Sequence, residues 1–295
     1  MNNMLKNFFG FKIIIAIILV AISVSATSVF LYSAADANSL TTDAIPKAAI
    51  IDQLDYNIPN EEFQKKATEF LESAGYQVDI FTTKDITVDF YKKLPTLGYK
   101  FVVIRSHGAA DTTDQSVTLF TGEIYDIEKY TSEQLFGQVK KGSPLLEVTF
   151  LGNTTGSQFD MGSKWDITND TYRTITIPAN QFFSSDEEYF VITPTFVDSA
   201  MEGKFSQTIF VLGGCKTMQT DSLAQSLVKR GASSVAGWDD QIGAFDNDAA
   251  MLKLLEGLLV NKMEMQDAVD SAMKLLPPFE NMAFPARMKV YSEMT

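Results

Sequence analysis

An α/β fold organised around a mainly parallel sheet is predicted by three features of the chain. Short runs of β-branched and aromatic residues alternate with helix-like segments before residue 109 and again after residue 206. Two of those runs end in glycine-flanked turns, Arg105-Ser106-His107-Gly108 and Gly213-Gly214-Cys215. Glycines also stop the helical patterns, at Gly75 and Gly231. Strand and helix in alternation imply parallel strands joined by right-handed crossovers.

The chain opens with residues 1–12, whose Lys6 and Lys12 are the only charged side chains in the first 35 residues. Residues 13–35 carry no charge. As a helix they would span about 35 Å, against a hydrocarbon core of about 30 Å. Two lysines before the run, with Asp36 and Asp43 after it, favour a cytoplasmic N-terminus and an exported remainder. A signal peptide cleaved near Ala26 or Ala37 is the alternative. Either way the globular part, residues 47–295, lies outside the cytoplasm, behind a small polar tether at 36–46.

Residues 48–54 read as the first strand. A helix follows, capped by Asn60, with Glu61 and Glu62 in its first turn and Phe63, Ala67, Phe70, Leu71 and Ala74 on one face. Residues 77–82 form the second strand, 88–94 a short helix and 100–106 the third strand. From about 109 to 206 the rhythm breaks. Strand-like runs at 117–123, 147–151, 172–177 and 189–197, joined by polar turns, indicate a β-rich insertion. Asn153 and Asn169 there head N-glycosylation sequons.

Alternation resumes with the strand 208–213. A helix from near Asp221 is apolar at Leu223, Ala224, Leu227 and Val228 and ends at Gly231. A strand follows at 233–238, then helices at 247–260 and 265–276, the last ended by Pro277 and Pro278. Asp246 and Asp248 read as capping groups of the first of these.

With 24 basic against 37 acidic side chains the formal charge is −13, which repels phosphate backbones and excludes nucleic acid as a partner. A single cysteine precludes an internal disulfide. One Cys and one His fall short of a zinc ligand set, and the acidic loop near residue 240 fits no calcium pattern. No P-loop and no Gly-x-Ser-x-Gly is present. No metal or cofactor is therefore expected.

What remains is one thiol and one imidazole, each at the carboxyl end of a strand, where parallel α/β sheets gather functional groups. If the two strands are neighbours, Cys215 and His107 meet. A free thiol has a pKa of about 8.5, so a nearby imidazole must raise its reactivity and later protonate a leaving amine. The backbone N–H groups of Gly108 and Cys215 can then hold an oxyanion.

A hydrophobic strand ending in His107-Gly108, followed by a later one ending in Gly214-Cys215, resembles the caspase-like cysteine peptidases of clan CD. That group includes caspases, legumains, gingipains and the CHAT domains. The segment Gly231-Ala-Ser-Ser-Val-Ala-Gly-Trp238 is most similar to gingipain and CHAT-type sequences. The resemblance covers residues 47–276 in element order. It implies a caspase-like, doubly wound fold and peptide-bond hydrolysis through a thioester on a Cys215–His107 dyad. The caspase Gln-Ala-Cys-Arg-Gly and the metacaspase Asp-Ser-Cys-His are both absent, and the segment between the dyad residues is longer than in caspases.

Members of this clan choose substrate through a charged pocket, which points to Asp239 and Asp240, beside Trp238, as groups that would pair with a lysine or arginine. The expected protein is a membrane-anchored extracytoplasmic cysteine endopeptidase acting on a peptide or protein. Its rival is a catalytically inactive caspase-like surface module that holds a partner with its β-rich insertion.

Overall fold

A computed structural model describes residues 44–110, 117–124, 129, 158–166, 171–178, 189–276 and 285–292. The predicted membrane segment 13–35, the strand-like run 147–151 and the sequons at Asn153 and Asn169 lie outside these residues.

In chain order, β1 (Lys47–Asp52) leads to α1 (Glu61–Ser73), β2 (Gln77–Thr82), α2 (Val88–Lys93) and β3 (Tyr99–Arg105). Next come β4 (Gly108–Ala110), β5 (Val117–Ile124), β6 (Gln158–Asp166), β7 (Thr171–Pro178), β8 (Tyr189–Ile192) and α3 (Pro194–Ser199). The chain closes with β9 (Thr208–Gly213), α4 (Ser222–Lys229), β10 (Ala232–Trp238), α5 (Ala244–Leu255), α6 (Met265–Met273) and β11 (Met288–Ser292). The fold is mixed α/β. Its main sheet has six strands in the order β11-β10-β9-β3-β1-β2, all parallel except β11.

Strand alternation assigns each side chain to one of two cores. Ala49, Ile51, Val102, Ile104, Phe210 and Leu212 point to the face covered by α2, α3 and α4. Ala48, Ile50, Phe101, Val103, Val211 and Trp238 point to the face covered by α1, α5 and α6. Burial on both faces is why these strands read as continuous apolar runs. Each buried Val, Leu, Ile or Phe among them contributes about 1.5–3 kcal/mol relative to exposure, and each alanine methyl less.

Helix starts follow their caps. Asn60 Oδ1 accepts from Phe63 N–H at 3.0 Å, and Thr87 Oγ1 accepts from Phe90 N–H at 3.1 Å. The same chemistry corrects the sequence reading of 189–197 as one strand. Thr193 Oγ1 accepts from Phe196 N–H at 3.2 Å with Pro194 in the first turn, so a helix begins where the strand was expected to continue.

The insertion does contain strands. β4, β5 and β8 form an antiparallel sheet, and β6 pairs with β7, a partner the sequence reading passed over. It also passed over β11. The expected 247–260 helix starts earlier, at Ala244, and its last turn, Glu256–Val260, is π-helical. Asp246 and Asp248 do not cap it: Gly243 occupies the cap position, and Asp248 is buried in an ion-pair network described below.

Candidate active site

β3 and β9 are in-register neighbours, with Arg105 opposite Gly213. Ser106 N–H donates to the Gly213 carbonyl at 3.0 Å, carrying the ladder past the strand ends. His107 and Cys215 each lie two residues past that last pair, where the Gly108 and Cys215 backbones come together. The two singletons, far apart in sequence, are thus brought to one rim of the sheet.

Glycine makes this approach possible. A Cβ on Gly108 would lie 2.3 Å from the Cys215 carbonyl oxygen, and one on Gly214 would lie 2.7 Å from the Ser106 carbonyl oxygen. The two turns therefore pack backbone against backbone, with no room for a methyl group at either position. Phe120 N–H donates to the His107 carbonyl at 3.1 Å. Antiparallel alternation then puts Gly108, opposite Leu119, at a non-hydrogen-bonded pair with its N–H directed away from β5.

The turn after the thiol is braced from β10. Lys216 takes a left-handed backbone conformation, φ 59°, held by donation of its N–H to the Asp240 carbonyl at 3.0 Å. Thr217 Oγ1 donates to the Gly214 carbonyl at 3.1 Å and accepts from Trp238 N–H at 3.0 Å. Cys215 Sγ itself lies against Ile242. It accepts from the Ile242 N–H and donates to the Ile242 carbonyl, both at 3.5 Å.

Burial sets the charge states. It pushes the Cys215 thiol up, against the opposing pull of the Ile242 N–H and Lys216. It pushes the His107 imidazole down to about 4, with the nearby Arg105 guanidinium acting in the same direction. At neutral pH the resting pair is a thiol and a neutral imidazole. The His107 ring packs edge-on against Phe120, centroids 5.9 Å apart.

Beneath the rim lies a buried ion network. Arg105 is fully buried; its Nε and Nη2 reach Asp248 Oδ1 and Oδ2 at 2.7 and 2.9 Å. Its Nη1 reaches Asp52 Oδ1 at 2.9 Å, and Nη2 also donates to the Ile58 carbonyl at 2.8 Å. Asn60 and Gln64 satisfy the second oxygens of Asp248 and Asp52, each at 2.8 Å. Burial alone would weaken the charge on Arg105, but Asp248 and Asp52 hold it firmly ionised.

The expected substrate residues fall in three different settings. Trp238 is fully buried and its Nε1 donates to Asn247 Oδ1 at 2.8 Å, so it has no surface to offer a ligand. Asp239 is tied to the start of β11, its Oδ1 accepting from Arg287 N–H at 2.7 Å. Asp240 is exposed, its Oδ1 accepting from Gln241 N–H at 2.8 Å.

Sequence reasoning missed Gln53, whose Oε1 accepts from His107 N–H at 3.0 Å. Nothing in its residue type marked it: Gln53 directly follows β1 and acts through the backbone N–H of the neighbouring strand end. Among the described residues no group of three or more His, Cys, Asp or Glu side chains is arranged to hold a metal ion, and no helix is long and apolar enough to cross a membrane.

Fold and rim together define the class: a mixed α/β protein with a mostly parallel six-stranded sheet and a thiol and an imidazole on adjacent strand ends. No protein-family model matches the chain, and no curated protein matches it.

Proposed function

We propose that this chain is a caspase-like cysteine endopeptidase held at the membrane by residues 13–35, with its sheet domain outside the cytoplasm. The observation that carries the reading is the in-register pairing of β3 with β9, whose neighbouring carboxyl ends lead into His107 and Cys215. In the reaction, His107 takes the thiol proton as Cys215 Sγ attacks a peptide carbonyl carbon. The N–H groups of Gly108 and Cys215 receive the developing oxyanion. The imidazolium then protonates the departing amine as the C–N bond breaks, leaving a thioester. Water, deprotonated by His107, hydrolyses that thioester and restores the thiol.

Because both groups rest neutral, the base must act during attack rather than beforehand. Asp240 is the carboxylate best exposed to meet a lysine or arginine before the scissile bond, since Asp239 is engaged with β11. The net charge of −13 favours basic peptides as well.

Labelling with a thiol-reactive peptide probe tests the reading. Wild-type Cys215 should label faster than free cysteine, and His107→Ala should abolish the advantage. A second reading, a non-hydrolytic caspase-like binding module, is favoured by the raised thiol, the lowered imidazole and the Ile242 contacts on Sγ. A thiol no more reactive than free cysteine, in wild type and variant alike, would decide for that module and against the peptidase.

A further inference from the structure

Gln53 stands one residue past β1, on the strand beside β3, and is almost completely buried. Three of its groups are committed. Its N–H donates to the Arg105 carbonyl at 2.8 Å, its carbonyl accepts from Thr83 Oγ1 at 2.8 Å, and its Oε1 accepts from His107 N–H at 3.0 Å. Both neighbours are fixed too. Asp52 is paired with Arg105, and Leu54 packs with Ile58, Ala244 and Phe245 in a small apolar cluster. That cluster joins the β1–α1 loop to the first turn of α5, directly after the β10–α5 loop whose Ile242 holds the Cys215 sulfur. The β1–α1 loop and the start of α5 thus lie behind both members of the pair.

We propose that Gln53 is a positioning residue for the Cys215–His107 pair, fixing the His107–Gly108 backbone so that the imidazole and the Gly108 N–H stay aligned with Cys215. The reason is one of direction. His107 donates its N–H toward β1 and accepts at its carbonyl from β5, so the peptide units flanking it are pinned from both sides. Remove the β1 acceptor and a half-buried N–H loses its partner, and the turn must rotate to find another. Rotation there carries Gly108 with it, and misplacement of about 1 Å is enough to slow a reaction roughly 100-fold.

The kinetic effect rests on the peptidase reading; the backbone effect does not. In the full chain, Gln53→Met keeps the shape and removes the acceptor, whereas Gln53→Glu keeps the acceptor. For Gln53→Met we expect kcat on a peptide substrate to fall roughly 10- to 100-fold with KM little changed. Hydrogen exchange at the His107 amide should accelerate at least about tenfold. Gln53→Glu should restore both to near wild-type values. Equal losses of kcat in the two variants, a loss confined to KM, or unchanged exchange at His107 in Gln53→Met would each overturn the proposal. If wild type cleaves no peptide yet Gln53→Met still frees the His107 amide and Gln53→Glu protects it, the peptidase reading fails and the positioning role stands.

Discussion

Burial acts in opposite directions on Cys215 and His107, raising the one and lowering the other to about 4, and the second shift makes folding sensitive to acid. An unfolded histidine takes up its proton near pH 6.5. Between pH 6.5 and 4 the unfolded chain therefore binds more protons than the folded one, and stability falls as pH is lowered through that window. His107 is the only histidine, so His107→Gln removes the whole imidazole contribution. Its Tm should drop less than that of wild type between pH 7 and pH 4.5. Equal drops would mean that the imidazole titrates as an exposed one does. Both singletons were legible because each stood after an apolar run beside a glycine. Gln53 was not, because it acts through a backbone N–H and leaves no trace in residue type.

Between elements, the Arg105 network does what a cap or a turn does locally. It ties the ends of β1 and β3 to the N-terminal turns of α1 and α5. Arg105→Met would leave Asp52 and Asp248 buried without their counter-charge, at a cost of about 3–5 kcal/mol. Urea denaturation should show that loss as a lower midpoint with little change in slope. A change below about 1 kcal/mol would mean that water reaches the site. Local patterns gave α1, β2 and α4 almost to the residue, since apolar periodicity and the stopping glycines Gly75 and Gly231 agreed there, with the Asn60 cap at α1. They failed at α3, where apolar residues on both sides of Thr193-Pro194-Thr195 masked the start signal between them. They failed again at Asp248, because an aspartate near a helix start looks the same whether it caps the helix or reaches across to an arginine 143 positions away.

For the molecule as a whole, the sheet order and the pairing of β3 with β9 were stated only as a condition in the sequence, because register is a long-range property. One feature of that topology reaches further. β5 and β8 are antiparallel, with Ile124 opposite Tyr189, so the chain leaves at 124 and returns at 189 on adjacent positions. Everything numbered 125–188 is a detour between two touching points. Replacing it with Asn-Gly should leave a tight hairpin, a cooperative melt and unchanged labelling of Cys215 by a small alkylating reagent. A molten, non-cooperative product would show that the detour is needed for the fold. A cooperative melt would mean that the closure of β5 on β8 is sufficient at this edge, leaving the span between them open to exchange without disturbing the sheet that carries the thiol.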